Sequence, residues 1–242
     1  MSPHPHARTA SPVAKSGGGA LLALLPLFRG TPRTQLAELA RRAVLKEAPA
    51  GSAVVHRGER LAGLMVVRYG LVKLSMRGES ERVLRLVGAG DSFGEAALFL
   101  DQPLPLDATA VTDTALLVVP AASLLELFDR DPRFARALLT RICQRFQAMV
   151  AEFEAATVHG AGERLAAYIE SLAPPGGAPA SAQLPAPKAV IASRLGMTKE
   201  TLSRLLRTFM DQGLISVAKR EIKLLDRARL SAAARSSASS RG

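Results

Sequence analysis

Cysteine is almost absent from this sequence, with Cys143 the only one among 242 residues. One thiol cannot form an intrachain disulfide, and it cannot supply four thiolates to a zinc or iron–sulfur site. The sequence also lacks an apolar run of the roughly 20 residues that a membrane span requires. The apolar stretch at residues 20–28 is short and contains Pro26, so we do not expect a signal peptide. These absences predict a protein of the reducing cytoplasm.

Acidic residues are scarce relative to basic ones. The chain has 21 Asp and Glu against 32 Lys and Arg, a formal net charge of +11 and a pI near 10.8. Such a charge attracts polyanions, so nucleic acid or an anionic membrane surface is the expected partner class. A solvated basic surface without a partner is the alternative. About half of the excess positive charge falls within residues 183–229, about a fifth of the chain.

The amino-acid composition changes several times along the chain. Pro, His, Ser, Gly and Ala predict disordered tails over residues 1–19 and 231–242, and a helix is expected over about 34–45. Short β-rich runs separated by glycines then predict a small antiparallel roll, the sensor domain of residues 20–131. The predicted strands are Ala53–Val55, Leu64–Val67, Leu71–Ser75, Arg82–Val87, Ala108–Val111 and Ala115–Val119.

A long helix is predicted next, over residues 132–160. Apolar residues on it step alternately by four and three, which is typical of a coiled-coil seam. The seam can pack on its own domain or against a twin helix, and we favour a two-fold dimer. Its members are Ala135, Leu139, Ile142, Phe146, Met149, Phe153 and Ala156. A second helix, residues 162–172, ends at prolines and glycines that predict a loop and a domain joint extending to Pro187.

A helix-turn-helix is predicted between Lys188 and Arg207, within a DNA-binding domain of residues 161–230. Pro187 suits the first turn of its first helix, which has Ile191, Ala192 and Leu195 on its core side. Gly196 permits the tight turn, and Thr198 is the expected N-cap of the second helix.

The second helix divides into two faces at helical spacing. Leu202, Leu205, Leu206 and Phe209 form the predicted buried stripe, while a polar face lies about 200° away. On a major groove, Arg204 can bind guanine as a fork, Glu200 can accept from cytosine, and Ser203 can reach a base edge. The alternative is a solvated amphipathic helix. Including a basic hairpin wing after Gly213, the candidate DNA-binding residues are Thr198, Lys199, Glu200, Thr201, Ser203, Arg204, Arg207, Lys219 and Arg220.

The order of β-roll, long helix and winged helix-turn-helix resembles the Crp/Fnr superfamily of bacterial regulators over about residues 27–230. The supporting motifs, in chain order, are Leu27–Gly30, Gly70–Leu74, Gly90–Glu95, Arg164–Ala166, Lys199–Arg204 and Gln212–Ile215. The resemblance implies an α+β fold with a cyclic-nucleotide-binding-like β-roll, a dimerisation helix and a C-terminal winged helix-turn-helix. It also implies a homodimer on a palindromic promoter site of double-stranded DNA, with RNA polymerase as a further partner.

Glu200, Ser203 and Arg204 resemble the reading set of the Fnr branch, which implies TTGA-type inverted repeats; the Crp branch usually has arginine where Lys199 stands. The stretch Phe93–Asp101 is similar to Dnr-type denitrification regulators, which respond to nitric oxide and are thought to use haem. Haem is therefore a candidate cofactor. No axial ligand is assigned, because His4, His6, His56 and His159 all read as surface residues.

The resemblance places Gly94 and Glu95 at the effector. Crp-like members hold the cyclic AMP phosphate with an Arg–Ser pair, and Leu106 and Asp107 stand at those positions here. An apolar residue and a carboxylate would not bind a phosphate, so cyclic AMP is disfavoured. A cyclic-nucleotide-responsive Crp-like regulator stays the alternative. An enzyme is not expected, since neither a nucleophile–base pair nor a metal-ligand set accompanies Glu95.

Overall fold

The computed structural model describes residues 11–12, 18–78, 80–173 and 181–235. The chain divides into two compact units, Met1–Arg145 and Phe146–Gly242, with the division inside one long helix. Among the described residues, no helix has both the length and the apolar character that crossing a membrane requires.

The first unit is a roll of two antiparallel sheets, as predicted. One sheet has the order β1-β2-β9-β4-β7 and the other β3-β8-β5-β6. The strands are β1 (Ser11–Pro12), β2 (Val44–Ala48), β3 (Ala53–Val55), β4 (Gly63–Tyr69), β5 (Leu71–Arg77), β6 (Glu81–Gly88), β7 (Ser92–Phe93), β8 (Asp107–Ala110) and β9 (Thr114–Pro120). The helices are α1 (Gly18–Leu24), a 3-10 turn (Pro26–Phe28), α2 (Arg33–Arg42), α3 (Glu95–Phe99), α4 (Ala121–Arg130) and α5 (Pro132–Val158), which continues into the second unit.

Two apolar clusters hold the roll together. One includes Val72, Val87 and Leu116 from the strands. The other lies beneath the helices and includes Phe134 and Leu138 of α5. Phe134 stacks on Phe28 with 5.5 Å between ring centroids. The start of α5 is therefore anchored to the roll by buried aromatic and aliphatic side chains, a contact that stabilises the unit by removing apolar area from water.

Several boundaries differ from the sequence prediction. The helix expected over residues 34–45 ends at Arg42, because Ala43 is extended and Val44 and Leu45 pair with β9 instead. Helix α4 was not predicted; it buries Leu124 and Leu127 directly after β9. Within the predicted tail of residues 1–19, β1 pairs with β2 and α1 begins at Gly18. Residues 1–10 and 13–17 of that tail are outside the described residues.

The second unit contains the end of α5, α6 (Ala161–Leu172), α7 (Lys188–Arg194), α8 (Lys199–Asp211) and α9 (Arg227–Arg235), with a small sheet ordered β10 (Ser181–Gln183), β12 (Glu221–Leu224), β11 (Ile215–Ala218). Part of the predicted loop before Pro187 is thus strand β10, whose residues bond to β12. The predicted turn at residues 174–177 is outside the described residues. Helix α9 buries Leu230 and crosses the tail boundary expected at 230; residues 236–242 are not described.

Candidate nucleic-acid interface and sensor site

The turn between α7 and α8 has the predicted geometry. Gly196 has φ +65°, a left-handed conformation that favours glycine. The amide of Met197 donates to the carbonyl of Ala192 at 3.0 Å and closes the turn. Thr198 is confirmed as the N-cap, since its hydroxyl accepts from the amide of Thr201 at 3.2 Å. Local hydrogen bonds therefore fix the direction in which α8 leaves the turn.

Arg164 of α6 supports the same turn and was not predicted as a functional residue. Its Nε donates to the carbonyl of Leu195 at 3.0 Å, and a terminal amine donates to the carbonyl of His159 at 2.5 Å. The next two residues, Leu165 and Ala166, are fully buried. An arginine beside two core residues is the sequence signal that could have identified this role. Arg164 is a positioning residue for the helix-turn-helix.

Helix α8 separates its two faces as predicted. Leu202, Leu206 and Phe209 are buried, with Leu205 half-buried beside them. The opposite face exposes four polar residues, Glu200, Ser203, Arg204 and Arg207. In the described part of the chain, no carboxylate lies within 4 Å of the arginines on this face (the ion pairs present are elsewhere). Their guanidinium groups are therefore available to an external acceptor.

The predicted wing is strands β11 and β12 joined at Lys219 and Arg220. Lys219 is exposed and has φ +55°, a strained conformation for a residue with a side chain. Arg220 is held more tightly, because its Nε donates to the carbonyl of Leu184 at 3.0 Å and its carbonyl accepts from the Leu184 amide at 2.9 Å. Arg220 thus braces the wing against the segment after β10, whereas the Lys219 side chain at the tip has no hydrogen bond or ion pair to the residues that the structure describes.

In the roll, Gly94 and Glu95 lie where α3 begins. Gly94 has φ +99°, a backbone conformation that favours glycine, and a Cβ there would also force the Leu61 side chain, 2.3 Å away, to move. The Glu95 side chain is only 4% exposed, and its carboxylate accepts from the Ser92 hydroxyl at 2.6 Å and from Arg145 at 2.6 Å. A buried carboxylate needs such partners. The Glu95 carboxylate is therefore held toward Arg145, near the middle of α5.

Asp91, four residues before Glu95, accepts from three arginines. Arg85 of β6 and Arg141 of α5 form ion pairs with it, and Arg145 lies 3.3 Å away. We call Asp91, Glu95 and these arginines the Asp91 cluster. Burial, followed by the neighbouring charges of Arg145 and Arg85, lowers the pKa of Arg141 to about 10. Sequence reasoning missed this cluster, because charged positions on α5 read as a solvated face.

Leu106 and Asp107 differ from a phosphate-binding pair in the way the sequence indicated. Leu106 packs against the apolar core of the roll. Asp107 is buried, accepts from the Arg57 amide at 3.1 Å and forms an ion pair with Arg77 at 3.2 Å. Its negative charge is thus stabilised by a hydrogen bond and an ion pair within the protein.

The described residues offer no buried metal ligand set. No group of three or more His, Cys, Asp and Glu side chains that could hold a metal occurs in the described ranges. The His56 side chain is 62% exposed and faces Asp107, and His159 faces Glu163. Cys143 is exposed on α5. His4 and His6 lie outside the described residues.

Comparison with known proteins agrees with this two-part organisation. A model of the cyclic nucleotide-binding domain matches residues 45–131, and a model of the Crp-like helix-turn-helix domain matches residues 163–233. The chain is a transcription regulator of the Crp/Fnr type. Like other Crp/Fnr-type proteins it therefore binds DNA, through the domain that contains α7 and α8.

Individual relatives of this Crp/Fnr-type regulator are distant. The chain is 29% identical to the cyclic AMP receptor protein of Thermus thermophilus over 74% of its own length and 84% of that protein. It is 26% identical to the HTH-type transcriptional regulator Cmr of Mycobacterium tuberculosis, over 80% and 78%. A solved CRP/FNR-family transcriptional regulator from Thermus thermophilus matches with a TM-score of 0.62 and 25% identity, over 80% and 99%.

Proposed function

We propose that this Crp/Fnr-type regulator is a cytoplasmic homodimer that reads an inverted repeat of TTGA-type half-sites in promoter DNA, in response to an effector sensed by the β-roll. RNA polymerase is its proposed further partner. The observation that carries the proposal is the two-faced α8: three apolar side chains are buried while Glu200, Ser203 and Arg204 are exposed on the other side.

The proposed base contacts follow from the chemistry of these side chains. The guanidinium of Arg204 matches the two acceptors of guanine, and the carboxylate of Glu200 matches the amino group of cytosine. Arg207 lies one turn further along and is assigned to phosphate. Thr198, Lys199 and Thr201 at the start of α8, with Lys219 on the wing, are assigned to the backbone, which positions a reader without specifying sequence.

Dimerisation is proposed through the seam of α5. Leu139, Phe146, Met149 and Phe153 are each at least 60% exposed, and Ile142 is 38% exposed. Apolar side chains aligned on one helix at four- and three-residue steps match the seam of a paired helix. A contiguous exposed apolar patch of this kind marks an interaction surface. A two-fold axis along this seam would give the two α8 helices the symmetry of a palindromic site.

For the sensor, we propose that an effector acts on the Asp91 cluster. Glu95 and Arg145 bond to each other at 2.6 Å, so a ligand that takes either partner changes how α5 is held on the roll. Such a ligand shifts the regulator only if it binds the two arrangements with different affinity. A cyclic-nucleotide response is the alternative, favoured by the domain match to the cyclic nucleotide-binding family and disfavoured by Leu106 and Asp107.

Haem was a candidate cofactor from the sequence. A haem needs an axial ligand that faces an apolar cavity. Of the described candidates, His56 and Cys143 are exposed, and the half-buried His159 lies 3.3 Å from the carboxylate of Glu163. These residues do not fit a buried haem. An absorption spectrum of the protein mixed with haem, with and without nitric oxide, checks this: we expect the spectrum of free haem, and a shifted, ligated spectrum would contradict it.

Arg204→Ala tests the DNA-reading proposal, with Arg207→Ala as the matched control one turn away on the same face. Binding is measured by fluorescence anisotropy at one salt concentration, on a TTGA palindrome and on random duplex. Since a bidentate base contact is worth about 1–3 kcal/mol, Arg204→Ala should lose roughly 5- to 150-fold on the palindrome and little on random DNA. Arg207→Ala should weaken both duplexes alike. An equal loss for Arg204→Ala on both would refute base reading by Arg204.

A further inference from the structure

A basic groove lies on the first unit, beside the Asp91 cluster. It runs between the 3-10 turn and the beginning of α5 and has a volume of about 400 Å³. Four arginines line it together with two neutral hydrogen-bonding side chains: Arg29, Arg133, Arg136, Arg141, Thr140 and Gln144. We call it the arginine groove.

The positive charge of this groove is mostly uncompensated. No carboxylate lines it, and in the ranges that the structure describes, the guanidinium groups of Arg29, Arg133 and Arg136 have no carboxylate within 4 Å. The N-terminus of α5 is itself capped by Asp131, whose carboxylate accepts from the Arg133 amide at 2.9 Å, so the excess charge of the groove lies on the arginine side chains. Like charges gathered without counter-charges repel one another, and a bound anion removes that repulsion.

Arg141 supplies the observation that points to a ligand. One terminal nitrogen of its guanidinium forms an ion pair with Asp91, but its Nε is buried and has no hydrogen-bond partner among the described residues. An unsatisfied buried donor destabilises a protein by about 1–3 kcal/mol. An anion that draws the Arg141 guanidinium into the groove would offer this Nε an acceptor.

We propose that the arginine groove binds a small phosphate-rich anion, of the class that carries two or more linked phosphates, such as a nucleoside polyphosphate. Guanidinium groups bind phosphate oxygens as bidentate forks, and several arginines match several phosphates. The volume of about 400 Å³ lies within the range of small-molecule sites. The Gln144 amide provides neutral donors for ester or sugar oxygens, while the Thr140 hydroxyl donates to the Arg136 carbonyl at 2.8 Å and is left as an acceptor.

The groove stays open in the proposed dimer. At 100° per residue, the α5 residues that line it are centred about 150° from the seam of Leu139, Phe146 and Phe153. Arg141 also belongs to the Asp91 cluster, so an anion that engages Arg141 competes with Asp91 for it. Anion binding in the groove is therefore coupled to the ion pairs of the Asp91 cluster. By thermodynamic linkage, a change in those ion pairs alters the affinity of the groove for the anion by the same factor.

Titration calorimetry of the full-length protein with inorganic tripolyphosphate, at constant ionic strength, tests the site. The variant Arg133→Ala/Arg136→Ala should bind at least tenfold more weakly than wild type. The matched control Arg68→Ala/Arg82→Ala removes two exposed arginines of the roll strands and should bind as wild type does. The proposal is overturned if the wild-type protein does not bind at 1 mM tripolyphosphate, a concentration that corresponds to a binding free energy of about 4 kcal/mol. It is also overturned if both double variants lose affinity equally.

A DNA-binding measurement on the same variant distinguishes this site from a DNA contact. Affinity of the groove variant for the TTGA palindrome, measured without tripolyphosphate, should equal that of wild type, so the outcome does not depend on how α8 reads DNA. If the variant instead loses affinity for random duplex while keeping its affinity for tripolyphosphate, the groove is a DNA-backbone contact and the proposal fails.

Discussion

At the scale of single residues, the molecule depends on short polar contacts that fix the backbone around each site. Thr198 caps α8, Arg164 holds the carbonyl of Leu195, and Ser92 orients Glu95. Each is one or two hydrogen bonds, worth about 1 kcal/mol apiece in stability. Their greater effect is on direction, because a helix that presents base-reading side chains must leave its turn at one angle.

Replacing Thr198 with alanine removes the hydroxyl that accepts from the Thr201 amide at 3.2 Å. An N-cap of this kind contributes about 1 kcal/mol. We expect Thr198→Ala to lower the free energy of unfolding by about that amount in urea, and Thr198→Ser, which keeps the hydroxyl, to remain close to wild type. Equal stability of the alanine and serine variants would show that the cap contributes nothing.

Glu81 gives the roll a dependence on pH. Burial alone would raise the pKa of Glu81, but hydrogen bonds from Lys73 and Ser75 at 2.6 and 2.8 Å outweigh burial and lower it. A lowered folded-state pKa contributes stability that is present above the unfolded pKa, about 4.3, and is lost as pH falls through the folded value.

The corresponding experiment compares melting temperatures of wild type and Glu81→Gln between pH 7 and pH 3. The wild type should be the more stable protein at pH 7, and its advantage should shrink below pH 4.3 or so, as the carboxylate is protonated. Lys73→Met is the control. It removes the nearer hydrogen-bond donor to Glu81, so the stability of this variant should depend less on pH over the same range than that of wild type. A difference that is constant across this range would contradict the role of Glu81.

How far the sequence predicted individual residues depended on the range of their contacts. Thr198, Gly196 and the exposed residues of α8 were predictable because their partners lie within about four positions along the chain. Asp91 and Arg141 were not, because they are 50 residues apart and meet only when α5 packs on the roll. Charge on a helix is ordinarily a solvated face, and only tertiary contacts distinguish the exception.

At the scale of whole elements, the periodicity of apolar residues predicted which residues of a helix or strand are buried. It did not predict the residue at which a helix ends and the next strand begins. The six strands expected between residues 53 and 119 all form, because short β-branched and apolar runs separated by glycine turns specify strands. Val44 and Leu45 were assigned to the preceding helix, and pairing with Val118 and Leu117 made them strand. Helix α4 was missed, since it begins where a strand ends without an intervening loop.

Helix α5 exposes the apolar seam through which dimerisation is proposed. Phe146 is 60% exposed within the seam, and Ala151 is exposed on the opposite side of the helix. A buried, unpaired carboxylate at a paired seam is strongly unfavourable, so Phe146→Glu should convert the dimer to monomer. Ala151→Glu adds the same charge outside the seam and should remain dimeric. Sedimentation velocity distinguishes them, and a dimeric Phe146→Glu would locate the interface elsewhere.

At the scale of the molecule, the net charge of +11 supports association with DNA but cannot by itself select a site. Contacts to phosphate weaken together as salt rises, whereas base contacts distinguish one sequence from another at any salt. Selectivity in the proposed function therefore comes from two copies of α8 acting on one duplex. Each half-site alone supplies few base contacts, so the distance between half-sites becomes part of what is recognised.

The spacing of the half-sites tests this pairing directly. In a two-fold dimer the reading helices enter successive major grooves about 34 Å apart, one helical turn of DNA. Inserting five base pairs between the half-sites turns the second one by about 180°, to the far side of the duplex. Affinity should then fall to that of a single half-site. Anisotropy titrations at fixed salt compare the intact palindrome, the five-pair insertion and a single half-site. The Phe146→Glu monomer should bind all three alike. Equal affinity of the dimer for the intact and the lengthened palindrome would show that one α8 alone accounts for binding.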